Sequence, residues 1–586
     1  MFKLFKNFTK KDIGMIIVSI VLVVFQVWLD LKLPDYMSAI TRLVQTDGAA
    51  MADILRQGGY MLLCAFGSLI SACIVGFLAS NLSANFSYTL RSKVYNKVLN
   101  LSTAEVKQFQ TSSLITRTTN DITQLEMLIS IGLQLLIKAP IMAVWAITKI
   151  LNKSFEWSML TAGCVVILLC VVIGLMLIVL PRFEKVQKLI DKINNVTRES
   201  ITGIRVIRAF NAEKYQENRF EKVNDDLTNM QLFNQKCFAI LNPIMMLVMN
   251  GLTLGIYAIG TYLINNAIIS VKISLFSDMV IFSSYGIQVI MSFLMLAMIF
   301  MMWPRAQISA RRINEVLDCK VSIKDGKDDI KPTEVGTVEF KNVSFKYPDA
   351  DEYLLRNISF KVNKGETIAF IGSTGSGKSS LINLVPRFYD ATDGEVLVDG
   401  VNVKNYSLEE LHNKLGYIPQ KAVMFTGTVK SNVAYGTKKG KKPSDKKVSE
   451  AINIAQAEEF VSKMEGGLDA HIARGGTNVS GGQKQRLAIA RSIARDPEIY
   501  IFDDSFSALD YKTDATLRSE LKKYTKDATS MIVAQRIGTI INADKIVVLD
   551  KGTCVGIGTH QELLKNCEVY KEIALSQLSK EELENA

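Results

Sequence analysis

Six runs of about 20 apolar residues crowd the first half of this 586-residue chain, and each is long enough to cross the hydrocarbon core of a bilayer as a helix. They lie at Ile13–Leu31, Gly59–Ala79, Leu128–Leu151, Ser158–Leu180, Phe238–Ile264 and Met279–Met302. Backbone amides in lipid must be satisfied within their own segment, so runs of this length dictate helices. The first run is followed by further spans and has no small-residue cleavage site, which marks a retained membrane helix. Lys3, Lys6, Lys10 and Lys11 precede it, so the N-terminus is expected on the cytoplasmic side of the cell membrane. An even number of spans brings the C-terminus back to that side. The net charge of +11 then reads as the basic excess of inner loops, and no nucleic-acid partner is expected. The eight cysteines form no C-x-x-C pair, which argues against a disulfide framework or zinc site.

The links between spans are uneven. Those after spans one, three and five are fairly short. Those after spans two and four run to about 50 residues each, charged and almost free of proline. At 1.5 Å per residue, each can fold as a helical hairpin reaching tens of ångströms from the membrane. Within them, Thr111-Ser112-Ser113-Leu114-Ile115-Thr116-Arg117-Thr118-Thr119-Asn120-Asp121 and Gly203-Ile204-Arg205-Val206-Ile207-Arg208-Ala209-Phe210 set small or polar residues beside apolar ones, a pattern suited to docking. The sixth span carries Met279, Met291, Met295, Met298, Met301 and Met302, and flexible, polarizable methionine suits surfaces that accept varied partners. Trp303-Pro304-Arg305 marks the exit from the membrane.

From about Thr337 the pattern changes to short alternating strands, Val338–Tyr347 and Asn357–Val362. A buried strand, Thr367–Ile371, then runs into Gly372-Ser373-Thr374-Gly375-Ser376-Gly377-Lys378-Ser379. This is G-x-x-x-x-G-K-S between a strand and a helix, where backbone N–H groups close around phosphates, Lys378 neutralises their outer oxygens and Ser379 holds Mg²⁺. A second metal-binding carboxylate belongs at the end of a buried strand, and Ile499-Tyr500-Ile501-Phe502-Asp503 supplies it. Upstream, Val479-Ser480-Gly481-Gly482-Gln483 opens a helix, a second cradle for anions.

On these motifs the chain resembles an ATP-binding cassette (ABC) exporter half-transporter. That family pairs a polytopic α-helical membrane domain of six transmembrane helices with an α/β P-loop nucleotide-binding domain. The expected division is 1–315 for the membrane domain with two long cytoplasmic hairpins, 316–336 for a linker and 337–580 for the nucleotide-binding domain. The resemblance implies that Tyr347 stacks on adenine and that Gly372, Ser373, Thr374, Gly375, Ser376, Gly377, Lys378, Ser379 and Ser380 hold the phosphates of ATP. Ser379, Asp503 and Gln420 of Tyr417-Ile418-Pro419-Gln420 would contact Mg²⁺. Ser480, Gly481, Gly482 and Gln483 would form the signature that caps a partner's ATP, and Ser507-Ala508-Leu509-Asp510 the loop crossing the dimer interface. The two hairpin stretches resemble the family's coupling regions.

Three positions depart from the pattern. Active members carry Glu after the Walker B aspartate, where this chain has Asp504. The shorter side chain holds its carboxylate about 1 Å back, and a misplacement of that order costs on the order of 10²-fold in rate. About 30 residues on, Gln535 stands where the family has His, and an amide cannot relay a proton. Before the signature, Ala473-Arg474-Gly475-Gly476 lacks the usual Glu. Asp504 and Gln535 together resemble the degenerate half of heterodimeric bacterial multidrug exporters. The expectation is an ABC-type ATPase subunit whose own site is slow, working with a second, non-identical half-transporter. It would move amphipathic drugs, lipids or peptides across the bilayer. A dedicated lipid flippase half and an ATP-binding subunit gating a partner remain open.

Overall fold

The computed structural model describes the whole chain except residues 7, 47–49, 152–154, 327–331, 437–439 and 579–586. The described residues fold into two compact units, Met1–Leu99 with Thr111–Cys319, and Asn100–Gln110 with Lys320–Ala586. Part of the linker read at 316–336, and positions 579 and 580 of the second domain, lie outside the described residues.

Among the described residues of the first unit, six helices are long and apolar enough to cross a membrane. The long helices are Lys10–Gln45, Met51–Leu99, Asn120–Leu151, Phe155–Thr202, Glu213–Asn266 and Ile269–Asp318. Phe155–Thr202 has 48 residues, which makes it about 70 Å long against about 30 Å of hydrocarbon. Much of it therefore projects beyond the bilayer, as the long charged links require. Five of the six contain one proline, at Pro34, Pro140, Pro181, Pro243 and Pro304. The sixth helix continues through Pro304 to Asp318, so that proline does not end it.

Lipid supplies no hydrophobic drive between helices, so close approach at small residues does the packing. A methyl group on Gly255 would lie 2.7 Å from Leu160, and one on Gly286 would lie 2.8 Å from Leu252. The buried Trp157 donates its indole N–H to the Ile256 carbonyl at 3.2 Å. Leu63, Phe77, Leu247 and Leu254 are exposed on the outside, as lipid-facing residues are.

Among its described residues the second unit has two larger sheets and a two-stranded pair, Gly427–Thr428 with His471–Ile472. A four-stranded antiparallel sheet runs in the order Leu355–Val362, Val338–Phe345, Asp393–Val398, Val401–Asn402. A six-stranded sheet runs in the order Thr553–Gly558, Lys545–Asp550, Thr367–Gly372, Thr529–Val533, Ile499–Asp503, Leu415–Ile418. Its strands are parallel except the first. Ile499–Asp503 is buried at every position, as expected for a parallel strand covered on both faces. A separate apolar cluster gathers the helices Asp445–Ile454 and Gly481–Arg495.

Candidate functional site

The parallel sheet creates the site through its register. Val533 pairs with Phe370 on one side and Asp503 on the other, and Phe502 pairs with Ile418. Three strands therefore end level, and the residues just beyond them converge at the carboxyl edge, where ligands bind in open α/β sheets. Gly372 ends one strand, Asp503 and Asp504 another, Gln535 lies two residues past Val533, and Gln420 two past Ile418. Gln420, Asp504 and Gln535 line a cleft of about 330 Å³ together with Thr374, Gly375, Gly377, Lys378, Ser379 and Ser380, and Asp503 lies behind it in contact with Ser379.

The loop leaving Thr367–Gly372 needs its glycines. Gly377 has φ +95°, and a Cβ there would lie 2.6 Å from Leu355, so only glycine fits. Ser376 is buried, and its N–H closes the turn onto the Ser373 carbonyl at 3.2 Å. The Lys378 ammonium donates to the carbonyls of Gly372 and Ser373, both at 2.8 Å. These are weak substitutes for phosphate oxygens, which would draw the same donors at higher charge. Burial lowers the Lys378 pKa, while the Asp504 and Asp503 charges oppose that shift.

Ser379 donates its hydroxyl to Asp503 at 2.6 Å. A hydroxyl and a carboxylate in contact are hard oxygen donors of the kind Mg²⁺ takes. Burial pushes the Asp503 carboxyl above the usual range. The Ser379 hydrogen bond pulls it back, and the charge of Asp504 pushes the same way as burial. Tyr417 contacts Asp503 at 3.4 Å and donates to Asn383 at 3.1 Å.

Asp504 is buried and takes φ +48°, a left-handed conformation that short Asp tolerates better than most residues. One carboxylate oxygen, Oδ2, accepts from the Gln420 amide at 3.1 Å and from the Gln535 amide at 2.9 Å. Gln535 is itself anchored, since its carbonyl accepts from the Gln577 amide at 2.8 Å. Gln420 and Gln535 are thus tied to each other through Asp504.

Tyr347 packs edge-on against Phe345 and Tyr389 and shares a 2.8 Å hydrogen bond with Ser380. Sequence reading missed its third neighbour, Lys107. This residue sits on the short helix Thr103–Phe109, which belongs to the nucleotide unit. Its ammonium lies 5.6 Å from the Tyr347 ring centre and 5.8 Å from that of Tyr389, within cation–π range. Glu105 of the same helix accepts from the backbone N–H of Ser102 at 2.6 Å and the hydroxyl of Ser322 at 2.6 Å. The only sequence signal was the Ser-x-x-Glu capping pattern at Ser102.

The docking stretches divide unevenly. Thr111–Thr118 belongs to the membrane unit, where Arg117 pairs with Glu315 at 3.0 Å. In the first hairpin it is the preceding helix, Thr103–Phe109, that belongs with the nucleotide unit. Ile204–Ala209 forms the tip of the other hairpin and leaves Val206 and Phe210 exposed, at 61% and 78%.

Ser480 caps the helix Gly481–Arg495. Its hydroxyl accepts from the Gln483 N–H at 3.3 Å while its own N–H donates to the Gln483 side chain at 2.8 Å. Ser480 and Gly481 are exposed and do not line the Lys378 cleft. A Cβ on Gly482 would lie 3.2 Å from the Ala508 carbonyl, so the signature and the 507–510 loop adjoin although separated in sequence.

Residues 16–293 match the model of the ABC transporter transmembrane region, and 355–507 that of the ABC transporter. An uncharacterized ABC transporter ATP-binding protein of Mycobacterium tuberculosis is 37% identical over 554 residues, 92% of this chain and 93% of that protein. The ATP-dependent lipid A-core flippase of Mannheimia succiniciproducens is 30% identical over 507 residues, covering 86% and 85%. A Bacillus subtilis ATP-binding/permease protein, assigned to multidrug export by name only, is 31% identical over 512 residues, covering 83% of each. The fold is that of a bacterial Atm1-family ABC exporter solved with ATP bound, at TM-score 0.82 and 24% identity over 96% of this chain and 99% of that one.

Proposed function

This chain belongs to the ATP-binding cassette transporters as an exporter-type half-transporter, a membrane protein whose ATPase domain is coupled to transport, and on that premise we propose that it is the slow-site subunit of a heterodimeric export pump. The observation that carries the reading is the pair of amides on one carboxylate oxygen of Asp504. A hydrogen bond to a charged group contributes about 1.5–3 kcal/mol. Two such bonds hold the Asp504 carboxylate in place and draw on its negative charge, so it polarises a water less strongly, and its short side chain reaches less far toward one. Gln535 offers an amide where proton relay needs an imidazole.

Binding has a separate basis. Tyr347 offers a ring to adenine, and the loop Gly372–Ser380 with Lys378 offers backbone N–H groups and a cation to the phosphates. Ser379, Asp503 and Gln420 are the donors for Mg²⁺, which when bound would shield charge on the terminal phosphate. The exposed Ser480–Gln483 turn is free to complete the partner's competent site. Both termini face the cytoplasm, the side from which ATP comes. Relatives named for lipid A-core flipping and for multidrug export support an amphipathic cargo.

The test is phosphate release by purified chain at saturating MgATP, alone and with its co-purified partner. Little turnover alone and a gain on the order of 10²-fold with the partner are expected. Ordinary exporter turnover by the chain alone would falsify the slow-site assignment.

A further inference from the structure

We infer that Lys138 and Gln288 form a polar subsite in the membrane unit for the anionic head of an amphipathic solute, with the methionines of the sixth helix taking its apolar tail. This rests on the reading that the membrane unit carries amphipathic cargo, and it names the class. Lys138 lies near the middle of the apolar run Leu128–Leu151. A charge at that depth cannot face lipid cheaply, so it faces the bundle or a wet path through it. Its ammonium pairs with Asp30 of the first helix at 3.0 Å, and the two side chains keep 21% and 18% of their exposure. The pair is therefore not sealed inside the bundle.

Hydrogen-bonding capacity around this pair is unbalanced. Both Asp30 carboxylate oxygens are engaged, one by Lys138 and the other by the Ser68 hydroxyl at 2.5 Å. Lys138 has three donors and, among the described residues, Asp30 as its acceptor. Gln288 of the sixth helix reaches the Asp30 carbonyl with its amide N–H at 3.5 Å, while its carbonyl oxygen is buried with no partner among the described residues. A buried acceptor without a donor is costly. The vacant capacity is thus a cation with spare N–H groups beside a lone acceptor. Its complement is an anionic oxygen next to an N–H, as in an N-acyl amino acid.

The apolar part follows from helix periodicity. Met291, Met295, Met298 and Met302 follow Gln288 at intervals of three, four, three and four residues, which keeps all five on one face. Met291 and Met298 are exposed, at 38% and 44%, whereas Met279 is buried against Gly260. The Met301 side chain lies outside the described residues. The head group would sit at Lys138 and Gln288 and the tail along the flexible methionine stripe.

Equilibrium binding to the full chain in phosphatidylcholine nanodiscs without nucleotide tests this. N-dodecanoylglycine and dodecyltrimethylammonium, equal in tail and opposite in charge, are the probes. The anionic probe should bind on the order of tenfold tighter than the cationic one. Neutralising the pair together, with Asp30→Asn and Lys138→Gln, should remove that preference without leaving an orphan charge, and Lys138→Arg should keep it. Gln288→Leu should weaken N-dodecanoylglycine more than dodecanoate, which lacks the N–H. Binding of a fluorescent ATP analogue in the same discs reports that each variant is folded. Equal binding of both probes, cationic preference, or an unchanged preference in the neutral pair would each overturn the assignment. Fast ATP hydrolysis by the chain alone would defeat the slow-site reading and leave this result standing, because no nucleotide is present.

Discussion

At the scale of single residues, the proposed slow site makes Asp504 and Gln535 the positions that should limit how fast this chain turns over ATP. Asp504→Glu lengthens the side chain by one methylene, and Gln535→His restores a group able to relay a proton. The double variant should raise phosphate release by the purified chain on the order of 10²-fold or more, with smaller gains in each single variant. No gain in the double variant would place the block elsewhere. If Lys378 and Asp503 hold MgATP as proposed, they should set a pH window for nucleotide binding. Burial lowers the Lys378 pKa, so its cation is lost at lower pH than for an exposed lysine, and MgATP affinity should fall on the alkaline side. Burial raises the Asp503 pKa, and the protonated acid cannot ligate a cation. The Mg²⁺-dependent part of binding should therefore disappear at a higher pH than an exposed aspartate would allow. Titration of a fluorescent ATP analogue with and without Mg²⁺ separates the two arms, and Asp503→Asn should remove the acidic arm alone.

At the scale of elements, Thr103–Phe109 is the clearest case of a segment placed by its contacts. It lies in sequence between two membrane helices yet packs with the nucleotide unit, held by Glu105. Burial acts to raise the Glu105 pKa, but hydrogen bonds from Ser102 and Ser322 outweigh it and the net pKa is lowered. A carboxylate with a lowered folded pKa contributes stability that is present above its ordinary pKa and is lost as pH falls through the folded value. The hydrogen-exchange protection of residues 103–109, taken relative to the intrinsic amide rate at each pH, should therefore be high at neutral pH and fall below the ordinary glutamate range. Glu105→Gln should exchange faster at neutral pH and lose that dependence. An unchanged profile would mean that Glu105 does not hold the helix. Sequence reading singled out the next stretch, Thr111–Asp121, as a docking surface, and it falls in the membrane unit. There Leu114, Arg117 and Asp121 are buried and Arg117 pairs with Glu315, while Thr111, Ser112, Thr119 and Asn120 stay exposed. Composition alone cannot tell a face that docks outward from one that braces its own bundle.

At the scale of the whole molecule, the proposed pump has two unlike sites, each completed by the other subunit. Removing parts of this chain should then have unequal effects on the assembled complex. Ser480→Arg would fill the space where the partner's ATP is capped and should lower ATPase activity on the order of 10²-fold or more, as loss of transition-state charge stabilisation does. Lys378→Ala would weaken only the slow site and should spare most turnover. Equal losses from the two substitutions, measured in the co-purified complex, would point to two equivalent sites.

Six apolar runs of bilayer length and a G-x-x-x-x-G-K-S loop between strand and helix were sufficient to determine the two kinds of unit and the glycine turn that leaves Thr367–Gly372. Both patterns are local and answer to constraints within one segment, the lipid thickness in the first case and the φ angles of glycine in the second. The convergence of Gln420, Asp504 and Gln535 needed the register of three parallel strands that are distant in sequence. The placement of Lys107 over Tyr347, and of Lys138 beside Asp30 and Gln288, likewise required elements far apart along the chain to meet. Sequence spacing carries no such information, because which strands end level and which helix faces touch is settled by packing of the whole unit.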